Sequence, residues 1–422
     1  MACNNHYKWI ICSDAHKHLD AISYSWVVYS LNWAVLGKNK KRGHSLPDIN
    51  SHYFQRNEYR ICLQYALMSK REVILTGDTP TGQLHLGHYV GSVRRRLELQ
   101  DTHDCYFLLA NMHAYTTRSD NPDEIHSDTL EIVRDYLAMG IDPNKSAILL
   151  QSETPAIAEL TFLFAMLLPF NRVMRNPTLK EEIKVKNLGE NYSFGFPLYA
   201  VGQTADILAF RAHAVPVGED QVPHIEITRE VARRFNKLYC GIDENVEDDD
   251  PIMEEKGVFP IPRADVGRVG RLVGTDGINK MSKSLNNTIL ITDTPKKVKK
   301  KLGQLYTGRQ SMTDKGDPNS SLMEYVDIFI TNKDRASELK DKYVRGDNIG
   351  DGHIKVEIAE AISELLAPMQ ERRAKYDGDD DTIIDIIRDG TARANVKTEE
   401  TLAMAKEAAG LGFFRRTIAF KE

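Results

Sequence analysis

The stretch Val73-Ile74-Leu75-Thr76-Gly77-Asp78-Thr79-Pro80-Thr81-Gly82-Gln83-Leu84-His85-Leu86-Gly87-His88 decides how the chain is read. An apolar run stops at a Gly/Pro/Thr turn and then opens a helix. This is the strand–turn–helix setting in which backbone N–H groups and a helix N-terminus meet a phosphate. His85 and His88 stand at i and i+3 and share one helical face, and Gly87 between them leaves room for something flat. Far downstream, Lys280-Met281-Ser282-Lys283-Ser284 puts two lysines at i and i+3 on a polar loop, with Gly274 and Gly277 ahead of it as hinges. Two imidazoles and two mobile ammoniums around one site suit a polyphosphate whose negative charge grows during reaction. Taken singly, each stretch has a plainer reading, a capped histidine pair and a solvated loop. Their co-occurrence in this order, after a strand end, carries the weight.

Outward from Val73 the pattern alternates apolar runs with amphipathic stretches, which predicts an α/β fold with a parallel sheet. Strands are expected at Val73–Thr76, Cys105–Ala110 and Ala147–Gln151, and helices at His85 to Gln100, Asp123–Met139 and Ala156–Leu168. Ligands of such a sheet lie beyond the carboxyl ends of its strands. Residues Thr178 to Tyr192 are polar, with Lys180, Lys184 and Lys186, and read as an exposed excursion. Tyr199, Gln203 and Asp206 fall on one stripe of a helix, an aromatic, an amide and an acid, which suits the wall of a pocket better than a core. Val215 to Gln221 reads as a strand and turn into a helix near Val222, and Asp243 to Glu255 as a solvated acidic run. From about Thr294 strands disappear and apolar positions take helical spacing, so a helical second domain begins after Asp293. The lysines at 296, 297, 299, 300 and 301 open it with a local basic cluster.

Composition is that of an ordinary soluble protein, 41% hydrophobic and 27% charged over 422 residues, room for two or three domains. A net charge of −5 gives no sign of a nucleic-acid partner by itself. Five cysteines without a C-x-x-C pair read as reduced intracellular thiols. No apolar run approaches the roughly 18 residues that span a bilayer. Residues 1–67 stand apart: they hold all three tryptophans and eight Lys+Arg against four Asp+Glu, while the remainder is acidic. The expectation is that the native chain starts at Met68 and that 1–67 is an atypical extension.

The two signatures together resemble the HIGH-type and KMSKS motifs of class I aminoacyl-tRNA synthetases. His85-Leu86-Gly87-His88 differs from the first by one apolar exchange, and Lys280 to Ser284 reproduces the second. From about Lys70 to Leu411, including VGEDQ, KMSKSLNN and the segment Pro368-Met369-Gln370-Glu371-Arg372-Arg373, the chain resembles tryptophanyl-tRNA synthetases of the bacterial type. The tyrosyl enzymes are the nearest rival; they expect a tyrosine where Leu75 stands and usually carry a further RNA-binding domain. Two departures from the family pattern are His85-x-Gly-His88 in place of Thr-x-Gly-Asn, and Gln203 in place of methionine.

The resemblance implies a Rossmann-like parallel-sheet catalytic domain over 68–293 and an all-helical tRNA anticodon-binding domain over 294–422. It implies activation of tryptophan by ATP, with Mg2+, and transfer to tRNA(Trp) by a cytoplasmic homodimer, with neither DNA nor membrane as partner. Thr79, Pro80, Thr81, His85, Gly87 and His88 would line the ATP site, with Lys280, Ser282, Lys283 and Ser284 gripping the β- and γ-phosphates and Met281 among the residues of that site. Gly218, Glu219, Asp220 and Gln221 would sit by the ribose and Leu272 near the adenine. Asp206 would accept the indole N–H, Tyr199 and Gln203 hold the ammonium, and Leu75, Gly77 and His113 wall the ring. Lys280, Lys283, His85 and His88 are the catalytic candidates, and no resident metal site is implied. A small-molecule adenylyltransferase and a tryptophan-sensing paralogue are the readings from other classes.

Overall fold

The computed structural model describes residues 71–185, 187–189, 191–266 and 272–420; the readings for 1–67 and Lys186 lie outside them. The quoted stretch forms strand β1, Val73–Asp78, and then helix α1. That helix is built as an α turn (Leu86–His88), a π-helical piece (Tyr89–Val93) and a further α segment (Arg94–Leu99). Strand β2 (Asp104–Leu109) leads to α2 (Asn111–Arg118) and α3 (Pro122–Met139); β3 (Ser146–Leu150) leads to α4 (Pro155–Ala165) and α5 (Phe170–Met174). Helix α4 stops short of the expected Leu168. The polar excursion is helical over Pro177–Val185 (α6), seated through the fully buried Leu179, while Lys180 and Lys184 stay exposed. Helix α7 (Gly195–Ala209), β4 (Ala214–Val217), α8 (Val222–Cys240), α9 (Ile252–Glu255) and β5 (Arg263–Val266) complete this half. The acidic run is not wholly solvated, because Asp248 takes Arg229 at 2.5 Å and Arg233 at 2.6 Å.

Among the described residues the strands form one all-parallel sheet in the order β3-β2-β1-β4-β5. Strand order reverses between β1 and β4, so the crevice at their carboxyl ends is where such a sheet takes a ligand. Alternate residues point to opposite faces. Ile74, Phe107 and Ile148 pack into one core, and Val73, Leu75, Leu108 and Leu149 into another. Burial on both faces is why these strands read as unbroken apolar runs.

After β5 the described chain is helical: α10 (Pro295–Gly303), α11 (Ser321–Phe329), α12 (Lys333–Arg345), α13 (Asp351–Arg373) and α14 (Asp380–Ala408). From Arg71 onward the chain is a single compact unit. The helices share its cores: Val298, Leu302, Ile358 and Ile362 join Ile74 and Phe107, while Ala394, Leu402 and Ala405 join the opposite face. Helix α14 also closes the open edge of β3. Thr391 Oγ1 accepts the Leu150 N–H at 3.0 Å, Arg393 donates to the Ser146 carbonyl at 3.3 Å, and Asn395 donates to the Glu153 carbonyl at 2.9 Å. Gly390 lies so close to the Ile148 carbonyl that no side chain would fit between.

Candidate active site

The two signature stretches meet beyond β1. The Lys283 ammonium donates to the carbonyls of Thr81 and, at 2.9 Å, Gln83. The N–H of Leu86 reaches the Ile289 carbonyl at 2.9 Å, and His85 bridges Leu290 in antiparallel fashion. Met281 is buried against Gly87 and hydrogen-bonds through its N–H to the Leu272 carbonyl at 3.0 Å, so both residues anchor the lysine loop from beneath. Asn287 shapes that loop: its carboxamide oxygen accepts the Ser282 N–H at 2.7 Å, and its NH2 donates to Asp276 at 3.0 Å and to the Lys280 carbonyl at 3.2 Å. Burial opposes the Asp276 charge, but donors from Asn279, Ile278 and Asn287 outweigh it and bring the carboxyl down to about 2. Ser282 and Ser284 pair at 2.9 Å, and Lys280 is exposed.

The imidazoles of His85 and His88 lie 3.8 Å apart between centroids. Burial first, then each other and the nearby cations, push His85 down to about 3; burial pushes His88 down to about 4 despite Asp78. Both rings are therefore neutral at pH 7. They offer N–H donors, and the lysines carry the positive charge. His88 Nδ1 accepts the His85 N–H at 3.2 Å, which leaves its Nε2 to bear the proton.

Three residues with no role in the sequence reading fix this turn. The Arg96 guanidinium, 1% exposed, donates to Asp78 at 2.8 Å and to Tyr136 Oη at 2.7 Å, and Tyr136 donates to the same carboxylate. Burial disfavours the Asp78 charge, yet Arg96 and Tyr136 hold its pKa below the usual carboxylate range. Arg118 donates to the Pro80 carbonyl and pairs with Asp128 at 2.8 Å, clamping the far side. Thr79 and Thr81 stay exposed between these anchors.

A second cluster gathers where β2 and β3 end against α7. Asp206, 3% exposed, takes both oxygens to Gln151 Nε2 at 2.8 and 3.0 Å. Gln151 in turn contacts His113 Nε2 at 3.1 Å and accepts the His113 N–H at 3.3 Å. Burial raises Asp206 to about 7 against the Gln151 hydrogen bond, and burial lowers His113 to about 4. Gly202 leaves room for His113 here, since a Cβ would stand 2.9 Å from its Nε2. Tyr199 lies edge-on to His113, 6.0 Å between centroids, and meets His224 Nε2 at 3.4 Å. Gln203 points the other way along the stripe, to Gln221 at 3.4 Å. Gln221 and Asp220, joined at 3.1 Å, form with Gly218 and Glu219 the turn after β4. Leu75 is buried in β1, whereas Gly77 is exposed near its carboxyl end, opposite Leu108. Gln151 had no sequence signal beyond ending a strand.

The structure thus brings together a neutral imidazole pair with two lysines, and a buried acid clustered with Gln151, His113 and Tyr199, at one end of one sheet. The family model for class I tRNA synthetases (W and Y) matches residues 68–367. The tryptophan–tRNA ligase of Clostridium longisporum is 39% identical over 349 residues, covering 82% of this chain and 98% of that protein. That of Treponema pallidum is 40% identical over 344 residues, 80% and 96%. Among solved structures, tryptophanyl-tRNA synthetase from Campylobacter jejuni, complexed with ADP and tryptophan, superposes with a TM-score of 0.67 at 29% identity, covering 80% of this chain and all of that one. With both signatures meeting on a matching fold, the chain belongs to the class I tRNA synthetases of the W and Y group.

Proposed function

We propose that this chain is a tryptophan–tRNA ligase. A tryptophan carboxylate oxygen attacks the α-phosphorus of ATP, the bond to the bridging oxygen breaks, and diphosphate leaves. The terminal ribose hydroxyl of tRNA(Trp) then attacks the adenylate carbonyl and AMP leaves. No covalent enzyme intermediate is needed, so the residues act by positioning and charge stabilisation. The observation that carries this reading is the Lys283 ammonium on the carbonyls of Thr81 and Gln83, which joins the KMSKS loop to the HxxH turn.

Lys280 and Lys283 hold the β- and γ-phosphates as diphosphate charge develops, and His85 and His88 donate hydrogen bonds to phosphate oxygens. Gly218 to Gln221 take the ribose. Asp206 accepts the indole N–H, and phenylalanine, which has no N–H, would leave that acceptor position on a buried carboxylate unfilled. Tyr199 and Gln203 hold the ammonium group. Magnesium would enter with ATP and add positive charge at the phosphates beside Lys280 and Lys283.

Residues 294–422 serve as the anticodon-binding region, and the active form is a homodimer in the cytoplasm; among the described residues no helix is long and apolar enough to cross a membrane. The expected result is ATP–diphosphate exchange that depends on tryptophan and is silent with tyrosine. Exchange with tyrosine alone would overturn the amino-acid assignment and leave the nucleotide site standing. Tryptophan binding without exchange would turn the protein into a sensor.

A further inference from the structure

The stretch Pro368 to Arg373, singled out in the sequence, has no part in the site as described. It is the last turn of α13. Pro368 has no N–H to give the Glu364 carbonyl, which sets that turn apart from the helix before it. Three of its side chains reach the catalytic half. Arg372 donates to the Ala138 carbonyl at 2.7 Å. Gln370 donates to the carbonyls of Ile291 at 2.8 Å and Asp293 at 3.0 Å. Arg373 donates to Asp135 at 2.9 Å, to Glu131 at 2.5 Å and to Asp377 at 2.7 Å.

Two of these contacts continue inward. The other oxygen of Asp135 accepts the N–H of Leu84, the residue before His85, at 2.6 Å. Glu131 accepts the Gln83 side-chain amide at 3.3 Å. Ile291, whose carbonyl Gln370 holds, points its own N–H at the Leu84 carbonyl at 3.5 Å, beside the Leu86–Ile289 bond. The segment leading into the HxxH turn and the segment leaving the KMSKS loop therefore run side by side. Each is tied from outside to one turn of α13. Asp135 is fully buried, so its carboxylate depends on Arg373 and Leu84 for compensation.

We infer that Arg373 and Gln370 are positioning residues for the activation step: the last turn of α13 holds the two signature segments in register, through Asp135 on one side and Ile291 on the other. Neither residue touches a reactant. The inference rests on reading those segments as the ATP site. Any shift of α13 moves Leu84 and Ile291 together, so the helical region sets how the imidazole pair faces the lysine loop.

The test uses the full chain and the variants Arg373→Met, Arg373→Lys and Gln370→Met, read by local amide hydrogen exchange and by diphosphate-exchange kinetics. In Arg373→Met, amide exchange at Leu84 and Leu86 is expected to rise about tenfold while that of β2 stays fixed. The KM for ATP is expected to rise about 10- to 100-fold with the KM for tryptophan unchanged. Arg373→Lys recovers most of the loss, since an ammonium still compensates Asp135. Gln370→Met removes no charge, and frees residues 289–293 even if Arg373→Met does not fold. Unchanged exchange at both Leu84 and Ile291 would overturn the inference. So would a parallel loss for ATP and tryptophan with a lowered Tm, which marks a merely structural role. A wild type without diphosphate exchange counts against the ATP-site reading alone, because amide exchange still decides whether α13 positions the turn.

Discussion

Replacing Lys283 by methionine is expected to lower kcat for tryptophan-dependent diphosphate exchange by about 10²- to 10³-fold, the loss typical of removing one charge-stabilising donor. Lys283 is half-buried, and burial lowers its pKa against the attraction of Asp128 and Asp135, so its ammonium is poorly hydrated where it sits. A cation in that setting gains more from a developing diphosphate charge than one in water does. Its partners are backbone carbonyls of Thr81 and Gln83, which can release it to a phosphate without leaving a buried carboxylate unpaired. Lys283→Arg keeps the charge and is expected to lose far less. Steady-state exchange kinetics with saturating tryptophan provide the measurement; a kcat within twofold of wild type in Lys283→Met would remove the residue from the catalytic set.

Asp206→Ala is expected to cut kcat/KM for tryptophan by on the order of 10²- to 10³-fold, because it strands the indole N–H together with the Gln151 amide and His113. Discrimination against phenylalanine should fall in the same variant. The charge state gives a second signature. Burial raises Asp206 to about 7, so below that pH the carboxyl takes a proton and loses part of its acceptor capacity. The tryptophan KM is expected to rise as pH falls from 8 to 6, and to be flat over that range in Asp206→Asn. Stability moves the opposite way. A carboxyl whose folded pKa lies above its unfolded value contributes stability at low pH that is lost as pH rises from about 4 to 7. Above pH 7 the charged form costs on the order of 4 kcal/mol. Asp206→Asn should therefore melt at a higher temperature than wild type at pH 8, trading function for stability. An unchanged Tm would mean that Asp206 is not held as a costly buried anion.

What the sequence made legible follows from burial. Strands β1 to β3 are covered on both faces and read as unbroken apolar runs, and α3 announces its end with Gly140 in left-handed conformation. Strand β5 escaped because Arg-Ala-Asp-Val at a half-exposed sheet edge carries no apolar signal. Helix α6 escaped because one deeply buried residue, Leu179, seats an otherwise polar surface. In the site, the histidines and lysines stand out because a short motif holds them together. Gln151, Arg96, Tyr136 and Asp135 do not, because each matters only through a partner distant in the chain. A buried arginine on a helix looks like any solvated one until Asp78 is placed beside it. The neutrality of His85 and His88 was equally hidden, since burial, which sequence does not report, sets it.

The cover on β3 has a consequence for how the protein is made. Leu150 and Thr391, which complete that edge, are 241 residues apart. At about 5 to 20 residues per second, a ribosome takes roughly 10 to 50 s to supply the second after the first. Through that interval the nascent sheet has an unpaired border strand, SAILL, apolar over four of its five residues and free of charge. Its exposure is longest under slow translation, and the stretch is where a trigger-type holdase or a neighbouring nascent chain would find this protein first.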